Sequence, residues 1–112
     1  MGVFLIELWS VKEGKEKEHE EICMQILRYI KEHRENFAEL RSERYFKQWI
    51  GGEGKCITVQ EYESLADMEE MDRKIGGDEA YLKLIRRWKG LIEKGSKSEL
   101  WFDRLRECWI EE

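Results

Sequence analysis

Apolar and polar positions along this chain switch between two periods. In four stretches they alternate by two, and in three others they recur at steps of three and four. Val3–Val11 (VFLIELWSV) reads as the first strand, with Phe4, Ile6 and Leu8 on one face and Val3, Leu5, Glu7 and Trp9 on the other. Both faces are largely apolar, which predicts cover on both sides. A helix is expected from about Lys15 to about Asn36, because Ile22, Ile26, Ile30, His33 and Phe37 share one face. Glu16, Glu18, Glu20 and Glu21 sit in its early turns, where carboxylates suit the helix dipole and form a solvated face.

Leu40–Ile50 is the second expected strand, with Tyr45 and Trp49 on one face and Phe46 and Ile50 on the other. Gly51–Gly54 (GGEG) turns the chain into a third strand, Lys55–Glu63, so these two strands should form a hairpin. On the third strand Ile57, Val59 and Glu61 share one face, and Cys56, Thr58, Gln60 and Tyr62 share the other. Ser64 opens a short helix to about Lys74, with Asp67 three residues on as in a capping box. Its apolar side is Leu65, Met68, Met71 and Ile75, and Glu69–Arg73 and Glu70–Lys74 are expected i,i+4 pairs. Asp78 caps a further helix to about Lys94, whose buried stripe includes Tyr81, Ile85 and Trp88. The last strand, from about Ser98 to Ile110, changes its apolar phase, which predicts a bulge or a tail leaving the sheet.

The order β-α-β-β-α-α-β with right-handed crossovers predicts an α+β, ferredoxin-like fold. Its four-stranded antiparallel sheet would run 4-1-3-2, with all helices on one face. The other face is then expected to carry several of Val3, Leu5, Trp9, Tyr45, Trp49, Thr58 and Tyr62. An uncovered apolar face of that size calls for a partner, and a second copy packed sheet to sheet is the economical one. On this reading Trp9→Glu should weaken a homodimer.

Composition narrows the class. The chain has 112 residues, the size of one domain spanning 1–112, and is 41% hydrophobic with five Trp. No apolar run approaches about 18 residues, which excludes a membrane span, and the strand-like start argues against a signal peptide. Cys23, Cys56 and Cys108 are odd in number and widely spaced, as expected of reduced thiols in a cytoplasmic protein. A net charge of −5 with mixed signs argues against nucleic acid or an anionic membrane as partner. Charged residues at 40%, with a single Asn and three Gln, resemble the composition of a hyperthermophile, although the absence of Pro runs against that trend.

Val59–Leu65 (VQEYESL) resembles the W-E-Y-E-S-L strand-to-helix signature of NIPSNAP-like proteins. Val11–Lys15 (VKEGK) resembles their K-P-G-K turn. Gln60 stands where a Trp is common and Glu13 where a Pro is common. The resemblance implies the dimeric α+β-barrel superfamily, in which two sheets face each other around a cavity. Relatives there include antibiotic-biosynthesis monooxygenases, haem-degrading enzymes and muconolactone-type isomerases. The haem-degrading relatives use an Asn on the first strand and a His on the helix after the third. Val3–Val11 holds no Asn and Ser64–Lys94 no His, so no haem or other cofactor is expected.

Glu7 is the candidate catalytic residue, a carboxylate in the middle of an apolar strand. Facing a cavity it would be a general base with a raised pKa; beside an Arg or Lys it would be a structural ion. Trp9, Tyr45, Trp49, Gln60 and Tyr62 are candidate ligand-binding residues for a small apolar or aromatic molecule, or else interface packing. His19 and Cys23 are spaced as two metal ligands can be, but no third ligand is in view and no metal is expected. His33, on the apolar stripe, is expected to be a hydrogen-bonded core or boundary residue. No Ser–His–Asp order, phosphate-binding glycine loop or zinc spacing is present. Two classes remain: a small-ligand-binding homodimer, and a cofactor-independent monooxygenase or isomerase with Glu7 as base.

Overall fold

The computed structural model describes residues 2–51 and 54–111. Its elements are β1 (Val3–Ser10), α1 (Glu16–Glu32), β2 (Leu40–Lys47), β3 (Lys55–Tyr62), α2 (Leu65–Ile75), α3 (Glu79–Lys89) and β4 (Lys97–Phe102). The sheet runs β2-β3-β1-β4, the expected ferredoxin-like order, with every neighbouring pair antiparallel. The turn between β2 and β3 includes Gly52 and Glu53, which lie outside the described residues.

Local chemistry explains most element ends. Ser64 Oγ accepts from the Asp67 backbone N–H at 3.1 Å and opens α2; the Asp78 carboxylate accepts from the Tyr81 N–H at 3.1 Å and opens α3. The helix α1 stops at Glu32, short of Asn36, and gives way to a 3-10 turn over Arg34–Phe37. The helix α3 stops at Lys89, not Lys94. Gly90 caps it, and the next residues are drawn onto the end of β1: Lys12 N–H donates to Leu91 O at 2.9 Å and Glu93 N–H to Ser10 O at 2.8 Å. The expected i,i+4 pairs on α2 are replaced by better-placed partners. Arg73 pairs with Glu70, and Lys74 reaches Glu39 at 2.7 Å.

The C-terminus leaves the sheet after Phe102. Leu105 takes a left-handed backbone conformation (φ 56°), and the following turn folds over the outer face of the sheet. There Arg106 pairs with Glu61 at 2.8 Å and lies 4.7 Å from the Trp109 ring, beside Phe4.

All three helices cover one face of the sheet. One core cluster joins Val3, Leu40 and Tyr62 of the strands to Ile30, Met71 and Tyr81 of α1, α2 and α3. A second joins Trp9 and Cys56 to Cys23 of α1 and Ile92. This corrects the expected facing of the sheet. Val3, Leu5, Trp9, Tyr45, Thr58 and Tyr62 share a face as expected, but it is the helix-covered face. The outer face carries Phe4, Ile6, Leu8, Ile57 and Val59, all partly exposed in the single chain. Alternation identifies which residues share a face. It does not identify the inner face when both are apolar, as on β1.

Candidate functional site

Three rows of side chains cross the inner face of the sheet: Trp9–Cys56–Lys47, Glu7–Thr58–Tyr45 and Leu5–Gln60–Glu43, each running from β1 through β3 to β2. Above them α1 contributes Ile26 and Leu27, and α3 contributes Tyr81, Ile85 and Trp88. Side chains from these rows and helices line a half-open cavity of about 250 Å³, with Lys89 also on its lining. The cavity therefore lies between the sheet and the helices of one chain. The residues expected to face a cavity against a partner subunit therefore face the helices of their own chain.

Of the candidate residues, Glu7, Trp9, Tyr45 and Gln60 come together on this lining. Tyr62 stands behind it, fully buried, and its O–H donates to Gln60 Oε1 at 3.0 Å. Gln60 Nε2 in turn donates to Glu43 Oε1. Trp49 is not part of the cavity: it lies past the end of β2 and is 93% exposed. Glu43 was missed by sequence reasoning, although its place two residues before Tyr45 puts it on the same face. Thr58 was seen on that face but not chosen. Tyr81, Ile85 and Trp88 read only as core stripe, because nothing in a helical period distinguishes a residue lining a cavity from one filling it.

Trp9 closes one end. It is 5% exposed, meets Trp88 edge-on at 5.0 Å between ring centroids and stacks on Tyr45 at 6.2 Å. Its Nε1–H donates to His19 Nε2 at 2.8 Å. That bond requires Nε2 to be unprotonated, so His19 is neutral with its proton on Nδ1. Burial lowers the His19 pKa, in accord with this. Cys23 Sγ is 3.5 Å from the same nitrogen, and burial pushes the thiol up to about 12. The two residues thus belong to a packed aromatic corner. Among the described residues, no three His, Cys, Asp or Glu side chains are grouped to hold a metal. Of the core and boundary positions expected for His33, the structure shows the boundary one, with Nδ1 2.9 Å from Tyr29 O and the ring stacked on Tyr29.

Among the described residues no hydrogen bond or ion pair reaches the Glu7 carboxylate. Burial raises its pKa, the Asp72 charge raises it further and Lys89 opposes both. Burial likewise raises Glu43, against the Gln60 hydrogen bond, and the Glu7 charge adds to the rise. An unpaired carboxylate on an apolar cavity can accept a proton, accept a hydrogen bond or meet a cation.

A folded-state pKa above the ordinary value gives a contribution to stability that is complete below about 4.3. It is lost as pH rises through the raised value. Glu7→Gln removes that loss. Its melting temperature should therefore rise relative to the unmutated protein as pH increases from 4 to 8. A difference that stays flat across this range would mean that the Glu7 pKa is not raised, and a variant less stable at pH 8 would identify Glu7 as a paired structural ion.

No family model matches the sequence, and no curated protein matches it. Solved structures do. A NIPSNAP family protein from Agrobacterium tumefaciens is 21% identical, with a TM-score of 0.77 over 95% of this chain and 96% of that one. An uncharacterised NIPSNAP domain protein from Burkholderia xenovorans is 12% identical, with a TM-score of 0.76 over 93% and 96%. A cofactor-independent oxygenase from Streptomyces nogalater is 9% identical, with a TM-score of 0.70 over 96% and 98%. The structural match to NIPSNAP family proteins expected from VQEYESL is thus observed, and what this chain shares with these proteins is their α+β, ferredoxin-like fold.

Proposed function

We propose that this protein binds a small apolar or aromatic molecule in the cavity between its sheet and helices. The observation that carries this reading is the lining itself, in which Trp9, Tyr45, Ile85 and Trp88 surround a few convergent polar groups, Glu7, Thr58 and Gln60. The size is suitable. An apolar cavity of about 150 Å³ holds a benzene ring, and this one measures about 250 Å³. The test is a titration with small aromatic compounds, read from the methyl NMR signals of Ile26 and Ile85. Binders should shift these signals, and Ile85→Trp, which fills the cavity, should reduce their affinity at least tenfold. Ligands that bind the filled variant equally well would sink the reading.

A second reading has one specific support, the unpaired Glu7 with its raised pKa. In it Glu7 takes a proton from an acidic O–H or C–H of the bound molecule, as a cofactor-independent monooxygenase or isomerase requires. The likeness to an oxygenase of that kind adds weight. Oxygen uptake or isomerisation of a hydroxyarene that is lost in Glu7→Gln would support it. Turnover retained in Glu7→Gln would exclude it.

The outer face supports a homodimer formed sheet to sheet. Ile6 and Val59 are register partners at its centre, flanked by Phe4, Leu8 and Ile57. Sedimentation equilibrium should give a dimer at micromolar concentration, and Ile6→Arg should give a folded monomer. A monomeric unmutated protein would rule the dimer out.

A further inference from the structure

We infer that the molecule this cavity takes is a cation, a compact aromatic or aliphatic amine whose ammonium group pairs with Glu7. The inference rests on the ligand-binding reading above and names the ligand class. Two carboxylates, Glu7 and Glu43, belong to one apolar lining, and their strands are separated by β3 alone. The Glu7 charge raises the cost of ionising Glu43, and Asp72 adds a negative charge near Glu7. Among the described residues the one cation on this lining is Lys89, on the exposed side of α3. The local field therefore favours a positive group.

The walls point the same way. Aromatic faces carry negative quadrupolar charge and attract an ammonium group within about 6 Å. Trp9, Tyr45, Tyr81 and Trp88 all line this cavity. The remaining surface, Ile26, Leu27, Leu82 and Ile85, suits the apolar body of the ligand. An unpaired carboxylate on such a surface is costly to keep. A bound ammonium offsets that cost, whereas a neutral or anionic ligand leaves it in place or worsens it.

Benzylamine, benzyl alcohol and benzoate share one ring and differ in the charge of the attached group. Each is titrated into the intact protein, with the Ile26 and Ile85 methyl signals as readout. Benzylamine should bind at least tenfold more tightly than benzyl alcohol, and benzoate should not bind. In Glu7→Gln the affinity ratio of amine to alcohol should fall to within about twofold. A melting curve establishes that the variant is folded, and Glu43→Gln provides a second test at the same site. Loss of the preference in Glu7→Gln supports the inference, and a smaller loss in Glu43→Gln adds to it. Equal affinity for amine and alcohol in the unmutated protein overturns it and leaves the ligand-binding reading intact, as does a preference that survives in Glu7→Gln. If no compound shifts the cavity signals, both readings fall.

Discussion

Trp9→Ala should cost about 3–5 kcal/mol of folding stability, the usual range for deleting a buried Trp. Three losses combine. The indole is 5% exposed and packs on Trp88, Tyr45, Cys23 and Ile92, so its removal opens a hole where the two layers meet. Its N–H is the partner of His19 Nε2, so a fully buried imidazole nitrogen loses its hydrogen bond. The hole also joins the existing cavity, for which Trp9 is a wall. Typical domains hold only about 5–15 kcal/mol in total, so much of the fold's margin is at stake. Urea unfolding followed by circular dichroism measures the loss. Trp9→Phe keeps a ring but not the donor and should lie between. A cost near 1 kcal/mol for Trp9→Ala, with secondary structure unchanged, would contradict the inward placement of Trp9. The same placement changes the expectation for Trp9→Glu, which should unfold the chain and not merely separate a dimer.

Asp78→Ala should cost about 2–3 kcal/mol. The helix cap alone is worth about 1 kcal/mol. The same carboxylate also accepts the Tyr29 O–H, 2.8 Å from each oxygen, and Asn36 Nδ2 at 3.4 Å. It therefore fastens the start of α3 to α1 and to the turn that follows it. A hydrogen bond to a charged group contributes about 1.5–3 kcal/mol when buried, and the partial exposure of Tyr29 places this one at the low end. Asp78→Asn keeps an oxygen acceptor for the cap and should recover about half of the loss. Equal costs for Asn and Ala would mean that the charge, not the cap, matters. A cost below about 0.5 kcal/mol for Asp78→Ala would show that neither contact holds α3. Tyr29→Phe isolates the second contact, and its effect should largely vanish in the Asp78→Ala background.

These two residues show how far the chain could be read before its fold was known. The capping role of Asp78 was legible, since an acid after Gly76–Gly77 and before a helical stripe has few other uses. Its bond to Tyr29 spans 49 residues and has no local signature. Alternation groups Trp9 with Leu5 and Glu7 on one side of its strand, but the helices cover that side and not the opposite one. Within the site, Glu7 stood out as a charge in an apolar strand, and Tyr45 and Gln60 followed by parity. Glu43 was hidden in the polar run RSER, where a charged residue looks solvated. Trp49 looked like a continuation of the Tyr45 face because alternation carries on past Lys47, where the strand itself ends.

The residues by themselves determined the element order, the side-chain parity of each strand, the caps at Ser64 and Asp78 and, through right-handed crossovers, the sheet order. Each of these depends on backbone geometry that repeats every two or 3.6 residues, or on contacts three residues apart, so neighbouring residues carry enough information. Tertiary structure alone decided which apolar face the helices cover, that a cavity remains between the sheet and α1 and α3, and that Glu7 and Glu43 share its lining. Those outcomes depend on how side chains distant in sequence fill space together. Phe4, Ile6 and Leu8 are as apolar as Val3, Leu5 and Trp9, so hydrophobicity could not choose between the two faces. The choice came with packing, in which Trp9 fits against Trp88, Tyr45 and His19, and Tyr62 fits against Met71 and Gln60.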